Sequence, residues 1–237
     1  MAATLQKATM KLRKESSSSA QRHGRWYDDA CGTAFALELV GERWSLLIVR
    51  ELMFGGRRFS DLRASLPGIS AKVLAERLDN FEAIGVVRRE GHEALPGVQV
   101  YALTPWGLAA DVAIMELGRW AARSARHDPT LPLSPASLML SFRTMFDAAR
   151  AGTRVLAATM TVAGEPFALT VAGGRITIRR GRHEAADFAF TAPAAPTIAA
   201  AVYGKAPLAA LPELGVTGDR AAAQAFIDLF ELPPPLD

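Results

Sequence analysis

The sequence has very little cysteine and no long apolar run. Among its 237 residues there is one cysteine, Cys31, which excludes an intrachain disulfide and suits a reducing compartment. No stretch of about 18 uncharged apolar residues occurs, so we expect no membrane-spanning helix and no membrane partner. Lysines and arginines interrupt the N-terminus throughout, so a signal peptide is not expected. These features predict a cytoplasmic protein.

The chain also lacks the patterns that mark catalytic and metal sites. Its four histidines lie far apart, and there is no His-x-x-His or Cys-x-x-Cys spacing that would indicate a metal site. Neither a Gly-x-Ser-x-Gly elbow nor a P-loop is present. The acidic pair Asp28 and Asp29 lies at a predicted helix start, where the helix dipole accounts for it. We therefore expect neither an enzyme nor a cofactor.

The composition is that of a globular protein, and its basic charge is concentrated at one end. Hydrophobic residues make up 50% and charged residues 22%, which is ordinary for one large or two small domains. The net charge is +3, but residues 1–27 hold six basic residues and one acidic residue, while acidic residues slightly outnumber basic ones elsewhere. Any DNA affinity of the folded part must therefore come from local clusters.

Residues 1–25 contain four consecutive serines among basic residues, and we predict a disordered basic tail. Two interpretations stay open. The tail is either a solvated leader without a role or an arm that adds sequence-independent phosphate contacts.

Residues 59–85 have the pattern of two short helices joined by a tight turn. Ser60 is predicted to cap the first helix, and Asp61 places a carboxylate in its first turn. Leu62 and Leu66 share one face, and Pro67-Gly68 ends the helix.

Ser70 is then predicted to cap a second helix. A buried stripe is expected from spacings of four and seven residues: Leu74, Leu78 and Phe81. The opposite face is predicted to expose Lys72, Glu76 and Arg77. The pair has the form of a helix-turn-helix.

Two predicted strands, at 86–90 and 98–103, follow this helix pair around a turn-rich loop. Helices followed by such a hairpin, or wing, make the winged-helix order. The alternative is a generic α+β packing unit.

Helices are also expected on both sides of this unit. Residues 28–40 and 44–54 have helical patterns, and Thr104-Pro105 combines an N-cap with a proline at the first helical position. From 106 to 125 the apolar residues occupy two sides of a predicted helix, which must then be buried on two sides. The simplest partner for the second side is another copy of the chain, so we predict a homodimer.

Several segments together carry a family resemblance. They are Cys31, 39–48 (LVGERWSLLI), 58–62 (RFSDL), 68–70 (GIS), 74–78 (LAERL) and 101–107 (YALTPWG). This set resembles the HxlR family of winged helix-turn-helix regulators, within the MarR-like superfamily, over about residues 28–125. The resemblance implies dimerisation through the first and last helices, with the Ser70 helix in the major groove and the wing near the minor groove.

In that family, a cysteine at the position of Cys31 sometimes senses oxidants or electrophiles. Here Gly32 replaces the usual following proline, and Asp28 and Asp29 are expected to disfavour the thiolate. Cys31 is therefore a candidate redox residue, with a small apolar helix residue as the alternative.

The predicted DNA contacts fall into three groups on a pseudo-palindromic double-stranded operator whose half-sites lie about one helical turn apart. The base- or groove-facing candidates are Ser70, Lys72, Val73 and Arg77. The candidates for contacts to the phosphate backbone are Arg57, Arg58, Ser60 and Arg63. The wing candidates are Arg88, Arg89 and His92. For the loop arginines at 57 and 58, simple solvation is the alternative.

Residues 128–137 contain three prolines and are predicted to be a linker. A helix follows, and then strands are predicted at 155–162, 166–171, 175–179 and 186–190, with Gly173-Gly174 as a hairpin turn. Helices are expected at 197–203 and 221–230.

The C-terminal part carries a second resemblance, over about residues 138–231. Its segments are 174–178 (GRITI), 186–188 (ADF), 204–205 (GK) and 215–219 (GVTGD). They resemble the sterol-carrier-protein type 2 fold, which implies an apolar tunnel for acyl chains or similar lipids. The candidate lining residues are Phe142, Met145, Phe146, Met160, Phe167, Phe188, Phe190, Tyr203, Phe226 and Phe230. The alternative is that they fill an ordinary core.

The predicted fold class is α+β. A disordered tail (1–25) precedes a winged helix-turn-helix domain (26–127), a linker (128–137) and a smaller sterol-carrier-like domain (138–237) with an antiparallel sheet covered by helices. The predicted function is a dimeric DNA-binding transcriptional regulator, a repressor, whose C-terminal domain either binds an apolar small molecule or lipid effector or serves oligomerisation. The first alternative is a lipid-binding carrier whose winged-helix domain serves dimerisation or partner docking. A redox switch through Cys31 is the second.

Overall fold

A computed structural model of the protein describes residues 27–92 and 96–236. The predicted basic tail at 1–25 lies outside these residues, as does part of the wing loop. Within the described part, no helix has the length and apolarity needed to cross a membrane.

The N-terminal half has the predicted order of helices and a two-stranded wing. The helices are α1 (Gly32–Val40), α2 (Ser45–Leu52), α3 (Phe59–Ser65), α4 (Ala71–Ala83), α5 (Pro105–Leu108) and α6 (Asp111–Ala122). Strands β1 (Val87–Gly91) and β2 (Gln99–Leu103) pair antiparallel, with Val87 opposite Leu103 and Gly91 opposite Gln99. The arrangement is a winged helix.

The helix pair forms because its caps and apolar stripe agree. The Val73 amide donates to the Ser70 hydroxyl at 3.2 Å, which confirms the predicted cap of α4. Leu74, Leu78 and Phe81 are buried, as their spacing predicted. These side chains pack in the core with α2 and α3 residues such as Leu52 and Leu62.

The predicted cap of α3 was wrong. The helix begins at Phe59, so Arg58 holds the N-cap position and Ser60 lies inside the first turn. The reason is a bridge between Arg57 and Tyr101, whose amides and carbonyls exchange hydrogen bonds of 2.9 and 2.8 Å. This bridge keeps the backbone extended as far as residue 57, and the helix starts directly after it.

The last helix of the N-terminal half is divided, where a single helix was predicted over 106–125. The Gly107 amide donates to Thr104 Oγ1 at 3.1 Å, so the cap at Thr104-Pro105 is confirmed. A Cβ at Gly107 would lie 2.2 Å from the Val86 carbonyl oxygen, so only glycine allows α5 to approach the wing this closely. After α5 the chain turns and continues as α6, in which Ile114 is buried.

The C-terminal half is a five-stranded sheet packed with helices. The helices are α7 (Pro135–Met145), α8 (Ala148–Ala151), α9 (Ala195–Val202) and α10 (Arg220–Ile227), with a short 3-10 turn at Leu208–Ala210. The strands are β3 (Leu156–Val162), β4 (Glu165–Ala172), β5 (Arg175–Arg180), β6 (Phe188–Ala192) and β7 (Gly215–Gly218). Helices α7, α9 and α10 contact this sheet.

The sheet is mixed, so the prediction of an antiparallel sheet was wrong at one pair. The strand order is β5-β4-β3-β6-β7. Strands β3 and β6 pair in parallel, whereas the other neighbouring strands of this sheet pair antiparallel. The segment between β5 and β6 crosses over β3, where the His183 amide donates to Thr159 Oγ1 at 3.0 Å and the Asp187 amide to the Ala157 carbonyl at 2.8 Å. This crossover returns the chain to the end of the sheet where β3 starts.

Helix α7 begins inside the stretch predicted to be a linker. Ser134 accepts a hydrogen bond from the Ser137 amide at 3.0 Å, and Pro135 follows at the first helical position. This is the same start signal as Thr104-Pro105, and it shortens the irregular connection to residues before 135.

Candidate nucleic-acid interface

The N-terminal half of α4 is the most open part of the helix pair. Ser70 and Lys72 are exposed, and the Lys72 side chain retains 85% of its accessible surface. Its ammonium lies 3.9 Å from Glu76, one turn along the helix, which is a weak surface pair. Val73 is half-buried against the core and so presents only part of its side chain. A solvent-facing helix N-terminus with a lysine in its first turn is suited to contact phosphates and groove edges.

Arg77 does not project into solvent as predicted. Its Nη2 lies 2.7 Å from Glu42, and its Nε donates to the Arg43 carbonyl at 3.4 Å. Both partners lie in the connection between α1 and α2. The residue ties α4 to the preceding helices, so its structural role is positioning.

Arg57 and Arg58 are neighbours in the sequence with opposite environments. The Arg58 guanidinium is half-exposed and makes two hydrogen bonds to the Asp61 carboxylate, at 2.9 and 3.0 Å. These hydrogen bonds lower the pKa of Asp61 and raise that of Arg58. Arg57 is only 8% exposed, and its guanidinium makes two hydrogen bonds to Glu165, at 3.0 and 3.1 Å. The prediction that Arg57 faces the DNA backbone was therefore wrong, because its side chain is buried toward the C-terminal half.

Two other backbone candidates, Ser60 and Arg63, lie exposed on α3. The Ser60 hydroxyl donates to the Asp61 carboxylate at 3.3 Å. Together with Arg58 they form one polar surface along the first helix of the pair.

The wing arginines are exposed but already paired with carboxylates. Arg88 lies 2.7 Å from Glu90, and Arg89 lies 2.8 Å from Asp79, with its guanidinium above the Tyr101 ring. His92 is half-buried. In a phosphate contact, each of these arginines would exchange an exposed carboxylate partner for a phosphate. The cost in free energy is small, because exposed ion pairs in water are weak.

Behind the helix pair lies a buried charged cluster that sequence reasoning missed. We call Glu51, Arg57, Glu165 and Arg180 the junction cluster, since it joins α2 and the segment before α3 to the C-terminal sheet. Glu51 is fully buried; it accepts a hydrogen bond from the Ser134 hydroxyl at 2.6 Å and lies 3.7 Å from Arg57. Arg180 forms an ion pair with Glu165, and its Nη2 donates to the Glu51 carbonyl at 3.2 Å.

One sequence signal could have indicated part of this cluster. Glu51 follows Ile48 by three residues and so falls on the apolar stripe of α2, where an acidic residue needs a buried partner. Nothing in the local sequence identifies Glu165 or Arg180 as part of this cluster, because Arg57 and Glu51 lie more than a hundred residues away from them.

Apolar side chains on α1 and α6 remain uncovered in the single chain. The large ones are Phe35, Leu37, Val112, Leu117 and Trp120, and the last retains 70% of its accessible surface. No residue of α1 is buried, and α6 buries only Ile114, so one of the two apolar sides predicted for 106–125 is left uncovered. Exposed apolar surface of this extent is typical of an interaction site.

Cys31 is exposed and holds the N-cap position of α1. The Ala34 amide, followed by the Thr33 amide and hydroxyl, stabilises the thiolate and lowers the pKa of Cys31. The pKa of Cys31 is lowered although Asp28 and Asp29 precede it in the sequence, and a redox role for this residue stays a prediction. Among the described residues, no group of three or more metal-ligating side chains could hold a metal ion.

A thiol with a lowered pKa should react at lower pH than an ordinary cysteine. We expect the rate of alkylation by iodoacetamide to rise with pH through a midpoint that is lower in the folded protein than in the urea-unfolded chain. The measurement is unambiguous because Cys31 is the single cysteine. Identical midpoints in the two states would mean that the start of α1 does not stabilise the thiolate in solution.

The ten residues proposed to line a lipid tunnel lie in the interior of the C-terminal half. Phe142, Phe226 and Phe230 pack ring against ring, with centroids 4.8 to 5.7 Å apart. The other seven are buried or half-buried around them: Met145, Phe146, Met160, Phe167, Phe188, Phe190 and Tyr203. The Tyr203 hydroxyl bonds to Ser141 at 2.7 Å, and burial raises the pKa of Tyr203. This packing favours the filled core, and lipid binding stays a prediction.

Comparison with known proteins places the N-terminal half in a family. The HxlR-like helix-turn-helix family matches residues 39–129, a segment that ends before α7. The HTH-type transcriptional regulator YvaP of Bacillus subtilis is 40% identical over 86 residues, which are 36% of this chain and 80% of that protein. The regulator YodB of the same organism is 38% identical over 86 residues, 36% of this chain and 77% of its own length. The solved structure of reduced YodB covers 42% of this chain and all of its own, with a TM-score of 0.38 and 34% identity.

These relatives are helix-turn-helix transcriptional regulators, and the similarity spans most of their length. Proteins of such a family are generally not enzymes. The chain belongs to the family of HxlR-like helix-turn-helix transcriptional regulators.

Proposed function

We propose that the protein is a dimeric repressor that binds a pseudo-palindromic operator through α4. The observation that carries this proposal is the exposed, Ser70-capped start of α4, within a winged helix that matches a family of transcriptional regulators. A helix presented in this way fits the major groove, and its first turns reach base edges.

The proposed contacts are revised by the environments of the side chains. Ser70, Lys72 and the exposed part of Val73 read the groove. Arg58, Ser60 and Arg63 contact the phosphate backbone beside it, and Arg88, Arg89 and His92 serve the wing. Arg57 is withdrawn from the set, and Arg77 acts by holding α4 against the connection between α1 and α2.

The proposed dimer uses the uncovered apolar surface of α1 and α6. Covering Phe35 and Trp120 with the same surface of a second copy satisfies both helices at once. The two α4 helices then enter successive major grooves, about 34 Å apart along the DNA.

For the C-terminal half we propose a sterol-carrier-like unit that acts as a sensor for an apolar effector. The proposal rests on the resemblance of residues 138–231 to that fold. The interlocked phenylalanine rings would have to separate to admit an acyl chain, so we expect effector binding to change the packing of α7 and α10. The alternative is a lipid carrier, for which we expect acyl-chain binding but no preference for any DNA sequence.

Lys72→Ala should weaken operator binding about 10- to 100-fold, because a lost groove contact is worth about 1–3 kcal/mol. The fold should remain intact, since the side chain is exposed and its pair with Glu76 contributes little. The measurement is fluorescence anisotropy with an operator selected from random duplexes, against a scrambled duplex at the same salt concentration.

The matched control is Glu76→Ala, which removes the same ion pair but leaves the cation. It should bind the operator as well as or better than the unmodified protein. The assignment of α4 as the reading helix would be contradicted if Lys72→Ala left operator affinity unchanged. It would also be contradicted if both variants reduced the affinity equally.

A further inference from the structure

A cleft of about 460 Å³ lies between the helix pair and the start of α7. On one side it is lined by α3 and the turn after it, including Ala64, Ser65 and Pro67. On the other side it is lined by the connection that leads into α7, including Leu133, and by the first turn of α7, including Ser137. The volume falls within the range of small-molecule sites, about 300–1,000 Å³. Both halves of the chain therefore contribute to one ligand-sized space.

The charged groups around the cleft do not balance. Four residues with charged side chains line it, Arg50, Arg57, Asp61 and Glu165. Their ion-pair partners are Glu51 for Arg50, Arg58 for Asp61 and Arg180 for Glu165. The set holds four guanidinium groups and three carboxylates, and several of them are largely buried. An excess positive charge in a poorly hydrated region is costly, so an anion placed there is stabilised.

Arg50 is the group best able to receive that anion. Its Nε and Nη2 both donate to Glu51 Oε1, at 3.3 and 3.0 Å. These bonds use two of the five N–H donors of a guanidinium, so donors remain for a second carboxylate. The hydroxyls of Ser65 and Ser137 lie in the same lining.

The rest of the lining is apolar. It consists of Ala64, Pro67, Pro132, Leu133, Pro135 and Ala163. Proline rings and a leucine offer a surface for a hydrocarbon body but no charge. We propose that the cleft binds a small organic carboxylate, with its carboxylate on Arg50 and its apolar body between the proline-rich connection and α3.

A ligand in this position would contact the first helix of the pair and the first turn of α7 together. Its occupancy would favour one placement of α3 relative to the C-terminal half. Any effect of this ligand on operator affinity rests on the proposed function. Binding of the carboxylate to the cleft does not rest on it.

The test uses the full chain and four probes: benzoate, hexanoate and their neutral amides, with sodium chloride matching the ionic strength. We expect at least one carboxylate to raise the Tm by about 3–6 °C at ten times its dissociation constant, and the corresponding amide to leave the Tm unchanged. Arg50→Gln should abolish the shift. Equal shifts for acid and amide, or no shift with either acid, would overturn the proposal.

A second variant guards against instability of Arg50→Gln, which removes a partner of the buried Glu51. Ala64 is exposed on α3, so Ala64→Phe fills the cleft without removing a charge. It should abolish the carboxylate-dependent Tm shift. The matched control is Ala149→Phe on the exposed side of α8, which should keep it. A shift that persists in Ala64→Phe would overturn the proposal. Carboxylate binding by a protein without operator preference would support this site and reject the regulator function.

Discussion

Arg57→Ala is expected to lower the free energy of unfolding by about 2–4 kcal/mol, and Arg58→Ala by less than about 1 kcal/mol. The two arginines are adjacent, but Arg57 is buried in the junction cluster and Arg58 is half-exposed beside Asp61. Removing the Arg57 guanidinium leaves the buried Glu51 carboxylate with less compensating charge. The loss falls at the lower end of the range for broken buried pairs, because Glu165 keeps Arg180 and Glu51 keeps Arg50.

Urea unfolding of the full chain measures this difference in stability. In DNA binding we expect the opposite order, with the larger effect for Arg58→Ala. Arg58→Ala should reduce the salt dependence of DNA affinity by about one released counterion, because it removes one proposed phosphate contact. Arg57→Ala should leave that slope unchanged under conditions in which it is folded. If Arg57→Ala kept the urea midpoint and lost the counterion instead, Arg57 would be the phosphate contact that its sequence position first indicated.

Trp120→Glu is expected to convert the proposed dimer to monomers and to lower operator affinity by about a thousandfold or more. Trp120 is the most exposed large apolar residue on α6, and tryptophans at the centre of interfaces contribute most to association. A glutamate at this position would bury an unpaired charge against the partner's apolar surface. A monomer retains one α4 helix, so it loses the contacts to the second half-site.

Sedimentation velocity and operator titration of the same preparation test this expectation. The matched control is Val155→Glu, which changes an equally exposed apolar residue in the C-terminal half, before β3. The control should remain dimeric and bind normally. A dimeric Trp120→Glu protein, or a Val155→Glu protein that dissociates, would move the interface away from α1 and α6.

The helix pair and the wing could be predicted because their signals are local. Ser70 caps its own helix, and Leu74, Leu78 and Phe81 are placed on one face by helical spacing alone. Thr104-Pro105 starts its helix in the same way. Capping and amphipathic spacing act over three to seven residues, so a short stretch of sequence contains all that they require.

Chain crossings and helix breaks could not be predicted in this way. The parallel pairing of β3 with β6 depends on how the segment between β5 and β6 crosses the sheet. The helix predicted over 106–125 is divided between Leu108 and Asp111, and Gly107 of its first part packs closely against the Val86 carbonyl. Both involve contacts with distant residues, which local propensity does not contain.

The sequence by itself determined where the winged helix lies, which side chains form its core and which turn of α4 is exposed to solvent. Only the tertiary structure decided that Arg57 is buried while Arg58 remains at the surface. The two residues are chemically identical and adjacent. What separates them is the bridge from Arg57 to Tyr101 and the carboxylate of Glu165, which lies 108 residues further along the chain. The burial of a charge depends on a partner supplied by the fold, and that partner can come from any part of the chain.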